Sequence, residues 1–376
     1  MRARLLILAL SLVALSGMGC TGSSDADTPP TQSAVLPIVY GEDDREEYFE
    51  VDDPALQRIA RRRAVALMTA DTLVTRADRV ELDTPSLLDK RGLCEGARFA
   101  EQPAAAVCSG FLVDERTVLT AGHCALAFSC DELRIVRSYF YTEPDVLAPI
   151  RTKDVFSCDR IVAHKHSGRG AAIDLDYAFI RLERPVAGLG AEMPLRGPDD
   201  PLEGGEPLTL FGCSEGVPLK IDRAGRVVDP RLDSRDFFVA DFDAFVGDSG
   251  GAVLDSTGKL VGVDVRGGID YAPTEDGCST TVVQPDDPAV PGEQVTYAFE
   301  AFDALCRSAP ETPACCTIEK VCPAAEPTPS DGCSFVPNRR EPSGGSPPLG
   351  SWIIVAIALR RRWTHRAQRS RNADGA

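Results

Sequence analysis

The sequence predicts an all-β protein, and three observations carry that prediction. Between Val35 and Ser308 the chain breaks into strand-sized apolar runs rich in β-branched residues, among them AAAVCSGFLV, RTVLTA, RIVAH, YAFIRL, PLTLFGC, FFVADF, GAVLD and KLVGVDV. Gly, Pro and Asp punctuate these runs at short intervals, the pattern of a sandwich or a pair of barrels. Helical patterning is confined to LQRIARRRAVALM and to the stretch ending FEAFDALC. A chain of 376 residues that is 43% hydrophobic and 26% charged holds core enough for one large domain or two modest ones.

The N-terminal MRARLLILALSLVALSGMGC has two arginines, an apolar run and then small residues, which reads as a secretory signal over residues 1–20. SGMGC resembles a bacterial lipoprotein cleavage site, with Gly17 where leucine is usual. Lipidation of Cys20 and ordinary cleavage nearby stand as alternatives. TGSSDADTPPTQSA, residues 21–34, is small and polar and reads as a tether. The folded domain is expected over 35–308, followed by a Cys/Pro-rich linker over 309–348.

The last segment, 349–376, joins the apolar LGSWIIVAIAL to the basic RRRWTHRAQRSR. Its apolar run falls short of the roughly 20 residues a membrane-spanning helix needs. With Gly332, Cys333 and Ser334 upstream, it resembles the sorting tails of surface proteins in myxobacteria-like organisms. The protein is therefore expected to be exported, either secreted or anchored at the bacterial surface or outer membrane. Thirteen cysteines in an exported chain argue for disulfides rather than metal. A net charge of −17, with several arginines gathered in the tail, argues against a nucleic-acid partner.

The chemistry turns on FVGDSGGAVLD, where Ser249 stands between an aspartate and two glycines. A serine hydroxyl needs a general base, and the base needs an orienting group. The chain has four histidines, His123, His164, His166 and His365, the last in the basic tail. His123 lies in VLTAGHCA at the end of an apolar run, fifteen residues after Cys108. A Cys108–Cys124 bridge between neighbouring strands would hold it in place.

CSGFLVDERTVLTAGHC resembles the histidine segment of the trypsin and chymotrypsin clan of serine peptidases, and GDSGGAV resembles its serine segment. The clan's aspartate segment finds its match in DYAFIRL, opening at Asp176; Asp174, the competitor, lacks the following aromatic and Ala. The chain order His123, Asp176, Ser249 excludes the subtilisin and α/β-hydrolase orders.

The resemblance implies two six-stranded antiparallel β-barrels with a short C-terminal helix, and a serine endopeptidase acting on protein or peptide substrates. Ser249 would attack the carbonyl, His123 would shuttle the proton, and Asp176 would orient the imidazole. The backbone N–H groups of Gly247 and Ser249 would form the oxyanion hole. No cofactor and no metal are implied.

The sequence departs from mammalian trypsin in two respects. It has no Ile-Val-Gly-Gly activation site, and Phe245 takes the place of a common cysteine. IVYGEDDREEY, DAFVGDSGG and GVDVRGG look more like the bacterial glutamyl endopeptidase-like branch. Asp248, if buried, then needs a new N-terminus, a local base or a backbone N–H. Lys90–Arg91 is either a processing point or a solvated dibasic turn.

Asp243, six residues before Ser249, together with Asp264 and Gly267, is expected to line the specificity pocket and to favour a basic substrate side chain. Arg266 is positioned to neutralise an acid there or to bind a glutamate. His164 and His166 form an HxH pair without a third ligand at a diagnostic spacing, and the acidic GEDDREEYFEVDD reads as a solvated edge. A function of a different class, a surface binding or adhesion protein reusing a peptidase scaffold without turnover, is the alternative.

Overall fold

A computed structural model describes residues 39–168, 171–190, 193–284 and 292–315. The signal, Cys20, the tether, the sorting tail and most of the Cys/Pro-rich linker lie outside the described residues. In chain order the elements used below are β1 (Glu46–Glu47), α1 (Pro54–Arg63), β2 (Ala64–Thr69), α2 (Leu87–Arg91), β3 (Cys108–Leu112), β4 (Thr117–Thr120) and α3 (Gly122–Ala127). There follow β5 (Leu133–Val136), β6 (Val155–His166), β7 (Asp176–Leu182), β8 (Leu208–Gly212), β9 (Lys220–Asp222), β10 (Val227–Asp229) and β11 (Phe237–Ala240). The last are β12 (Ala252–Asp255), β13 (Leu260–Arg266), β14 (Glu293–Tyr297) and α4 (Ala298–Ser308).

Six strands close into a barrel in the order β6-β7-β4-β3-β2-β5. Leu67, Phe111, Leu119, Ile135 and Phe179 fill it without measurable exposure. The second half is an antiparallel eight-strand sheet, β10-β11-β14-β13-β12-β8-β9-β1, curled on itself. The architecture is all-β with a short C-terminal helix, and α4 docks on the barrel through an edge-to-face contact of Phe302 with Phe179 at 5.3 Å.

The acidic run becomes the outer strand of the second sheet. Glu46 and Glu47 pair in register with Ile221 and Lys220. Glu47 lies 3.2 Å from the buried Lys220 ammonium, and Arg223 holds Glu46 with two hydrogen bonds of 2.5 and 2.9 Å. The acids at this edge are neutralised by the neighbouring strand instead of facing water.

The helix expected over LQRIARRRAVALM ends at Arg63. Asp53 caps it by accepting from the Ala55 and Leu56 N–H groups, and Ala64 is already extended at φ −67° and ψ 135°. AVALMT becomes β2 because it is flanked by β3 and β5, so pairing on both edges overrides local helix preference. Disulfides join Cys94 to Cys278, Cys108 to Cys124, Cys130 to Cys158 and Cys306 to Cys315. The last of these carries packed structure beyond Ser308, since Ala314 and Cys315 are buried. Cys213 is a buried free thiol, and burial pushes its pKa up to about 12.

Candidate active site

The histidine is positioned by an abrupt turn. Strand β4 ends at Thr120 and α3 starts at Gly122, where a Cβ would lie 2.1 Å from the Lys165 carbonyl oxygen and 2.9 Å from Asp176 Oδ1. Only glycine fits that approach, which accounts for the glycine in TAGHC. The Cys108–Cys124 disulfide fastens α3 back to β3 beside His123.

Asp176 opens β7 with no exposed surface. Its Oδ1 accepts the His123 backbone N–H at 2.9 Å, and its Oδ2 lies 2.9 Å from His123 Nδ1. This geometry puts the ring proton on Nδ1 and leaves Nε2 as an acceptor. Thr296 Oγ1 accepts the Asp176 N–H at 3.2 Å. Burial pushes the Asp176 carboxyl up, but hydrogen bonds and charge from His123 and His166 outweigh it, so the group titrates below its ordinary value.

Two further side chains meet the same oxygen. His166 Nδ1 lies 3.0 Å from Asp176 Oδ2, and Arg266 Nη2 donates to it at 3.2 Å. Arg266 also donates from Nη1 to Asp174 Oδ1 at 2.7 Å and from Nη2 to the Ser167 carbonyl at 2.7 Å. Arg266 thus bridges the competing Asp174 and Asp176, and of the two aspartates it is Asp176 that meets His123. His164, two residues away on β6, is exposed and stands opposite Ala178 in register.

Ser249 is half-buried at the end of a tight loop. Gly247 has φ +103°, and a Cβ there would lie 2.6 Å from the Cys213 carbonyl oxygen. Gly250 has φ +90°, and its Cβ would lie 2.1 Å from the Ser109 carbonyl oxygen. Both positions exclude other residues on backbone conformation and on space. The loop is pinned to the barrel by Ser109, whose N–H donates to the Ser249 carbonyl at 2.8 Å and whose hydroxyl donates to the Gly247 carbonyl at 2.7 Å.

Asp248 finds its partners locally. Its Oδ2 accepts the Phe245 N–H at 2.8 Å, with the Ser214 hydroxyl and the charge of buried Arg45 nearby. Burial still lifts its pKa to about 7. The Arg45 guanidinium stacks over the Phe245 ring at 3.7 Å, so the aromatic standing where a cysteine is common helps to hold the compensating cation. Lys90 and Arg91 are tied into the fold: Lys90 Nζ donates to the Glu215 carbonyl at 2.9 Å, and Arg91 Nε to Glu215 Oε2 at 2.6 Å. Both close the short helix α2, Lys90 exposed and Arg91 partly so.

The expected pocket residues divide. Asp243 accepts the backbone N–H groups of Tyr40 at 2.9 Å and Asp44 at 2.7 Å, so both its oxygens anchor the 40–44 segment. Asp264 is 3% exposed, and its Oδ1 has no hydrogen-bond partner among the described residues. The missing Cβ of Gly267 leaves room for Glu293, whose Oε2 would lie 1.8 Å from it. Burial, followed by the charge of Asp264, raises the Glu293 carboxyl well above its usual range.

His123, His166 and Asp176 place three potential metal-ligand atoms within 4.8 Å of one another, but the Arg266 guanidinium already occupies the carboxylate oxygen they would share. Cys108 and Cys124, grouped with His123, are oxidised to a disulfide and offer no thiolate. Sequence reasoning missed Ser109, Thr296 and Glu293 as parts of this site, and the tie from His166 to Asp176. The one available signal was HxH itself, since the strand register that sets His166 opposite Asp176 follows from pairing with β7.

Residues 108–263 match the family model of the trypsin-like peptidase domain. Among solved structures, the VesB protease of Vibrio cholerae is similar at 17% identity, over 64% of this chain and 62% of that one, with a TM-score of 0.40. A Glu endopeptidase is similar at 17% identity over 71% of this chain and 97% of that one, with a TM-score of 0.39. This chain therefore spans about 62% of the Vibrio protease. No curated protein matches it.

Proposed function

We propose that the trypsin-like peptidase domain of this chain is an exported serine endopeptidase working through His123, Asp176 and Ser249. The observation that carries the reading is the double grip of Asp176 on His123, through the backbone N–H and through Nδ1, which directs Nε2 outward as a base. His123 takes the Ser249 proton as the hydroxyl attacks the scissile carbonyl, and returns it to the leaving amine. The Gly247 and Ser249 N–H groups stabilise the oxyanion of the tetrahedral intermediate. Losing one such donor typically costs about 3 kcal/mol in the barrier. Water then resolves the acyl-enzyme by the same steps.

The substrate residue before the cut is a lysine or arginine. This is supported by the buried Asp264, whose Oδ1 has no hydrogen-bond partner among the described residues, and by the neighbouring Glu293: the two carboxyls hinder each other's ionisation, and a substrate cation beside them would offset that repulsion. Asp243, with both oxygens given to backbone N–H groups, supports that pocket from outside. Export fits the four disulfides. No helix among the described residues is long and apolar enough to cross a membrane.

The test is labelling by a fluorophosphonate together with cleavage of a diverse peptide library, for the wild type and for Ser249→Ala. Labelling and cleavage that vanish together in the variant, with cuts after Lys or Arg, are the expected result. Cuts after Glu would overturn the pocket assignment alone. A folded wild type that neither labels nor cleaves would favour the non-catalytic binding scaffold.

A further inference from the structure

The barrel carries a second concavity whose lining runs against the character of the whole chain. On a protein of net charge −17, Arg58, Arg61, Arg62, Arg137, Arg151 and Lys153 line one groove of about 560 Å³. None of His123, Asp176 and Ser249 borders it. The volume lies in the range of small-ligand sites.

The cations come from three separate stretches of chain. Arg58, Arg61 and Arg62 stand on α1 at i, i+3 and i+4, where like charges oppose one another. The place of Arg61 and Arg62 in the last turn of α1 suits the helix dipole. That cannot account for Arg137, which follows β5, or for Arg151 and Lys153, which precede β6 and turn to the same groove. Arg137 is incompletely satisfied: its Nη2 reaches the Arg62 carbonyl at 3.3 Å, and its buried Nε has no partner among the described residues. Burial pulls its guanidinium below the ordinary value; the charge of Asp154 opposes this and that of Arg61 adds to it.

Among the described residues the opposing carboxylates are Asp154, which lines the groove, and Asp78, which holds Arg151 at 2.6 Å. The surplus is four positive charges. A carboxylate ligand with a single charge would leave most of it uncompensated, whereas a phosphomonoester carries about −1.5 to −2 and a ligand with two phosphodiester groups carries one negative charge on each. Planar guanidinium forks match phosphoryl oxygens in two-pronged hydrogen bonds.

We propose that this groove binds a ligand bearing two phosphoryl groups, with Arg58, Arg61 and Arg62 of α1 closing on one side and Arg137, Arg151 and Lys153 on the other. The same chemistry is offered by a soluble diphosphate and by a bisphosphorylated lipid headgroup, and the experiment separates them.

The full chain is titrated calorimetrically with inorganic pyrophosphate, and its flotation is followed with phosphatidylcholine vesicles that contain or lack cardiolipin. Wild type is compared with Arg58→Ala/Arg62→Ala and with Arg76→Ala. The first two arginines are exposed, so their loss leaves the core intact; Arg76 is an exposed arginine paired with Glu81 away from the groove. Pyrophosphate binding that weakens about tenfold or more in the double variant and is unchanged in Arg76→Ala is expected. Cardiolipin-dependent flotation lost in the same variant assigns the lipid source, and binding of pyrophosphate without flotation assigns the soluble one. Absence of both, or equal binding by the double variant, overturns the proposal. The readout is binding, so the result does not depend on peptidase activity.

Discussion

The carboxylate behind His123 and those around the serine loop are buried in opposite ways. At the edge of the barrel, Asp176 is fully buried yet receives donors from the His123 backbone, His123 Nδ1, His166 and Arg266, and its pKa falls. Around the serine loop, Asp222, Asp243 and Asp248 are buried as well and rise to about 6, 7 and 7, and Asp264 and Glu293 are raised well above their ordinary range. Asp222 rises although three backbone N–H groups donate to it, so the charge of the partners, which Asp176 has in His123 and His166, decides the sign. The acid that holds His123 stays charged, while several acids around the serine loop and the proposed cation pocket are protonated or incompletely paired.

The contrast breaks most sharply at Asp176. Asp176→Asn keeps the shape but offers His123 a mixed donor and acceptor, which favours the wrong tautomer. kcat/KM on a cleavable peptide should fall by about 10⁴ with the folded spectrum unchanged. Asp174→Asn, which alters a partner of Arg266 instead of His123, should cost far less. Equal losses in the two variants would mean that the grip on His123 is not what sets the rate.

The next largest effect tests whether the acids of the second half need their cations. Glu215 is 1% exposed, sits at φ +58°, and depends on Arg91 at 2.6 Å. Arg91→Met leaves that charge buried and should lower unfolding stability by about 3 kcal/mol in urea. In the barrel half, Arg160→Ala removes a pair with Asp159 in which both partners are exposed, and should leave the midpoint where it was. A small loss at Arg91 would mean that Glu215 survives by sharing a proton with Asp270 instead.

The part of this architecture that was legible in the sequence was the part encoded in contiguous residues. DYAFIRL, TAGHC and GDSGG each combine a functional side chain with the apolar run or glycines that fix its backbone, so strand, turn and candidate role could be read together. What was not legible depends on register and distant packing. Asp243 looked like a pocket acid because of its spacing from Ser249, but the 40–44 segment, about two hundred residues earlier, claims both oxygens. Glu293 gave no signal because its nearness to Gly267 comes from β13 and β14 lying side by side. The end of α1 at Arg63 was hidden for the same reason, since AVALM is helix-compatible in isolation and becomes a strand only between β3 and β5. The satisfaction of Asp248 rests on Arg45 and Ser214, which no motif joins to GDSGG.

The gentlest test is the dependence of stability on pH, and its sign follows from the raised acids. Between about pH 4 and pH 7 the native state holds protons on Asp243 and Asp248 that the unfolded chain has released, and on Asp222 up to about pH 6. The folded form then binds more protons than the unfolded one, so unfolding free energy falls as pH rises through that window. Each group contributes at most about 1.4 kcal/mol per pH unit where the two states differ in charge. Discounted for the mutual influence of neighbouring acids, a net loss of about 2 kcal/mol from pH 5 to pH 7.5 is expected in urea titrations. Asp176 acts in the opposite direction, but its lowered pKa confines its contribution to pH values below about 4. Asp248→Asn cannot ionise and should flatten the slope over pH 5 to 7.5. A wild type that gains stability across the same range would show that backbone N–H groups and Arg45 hold these acids charged, and would erase their distinction from Asp176.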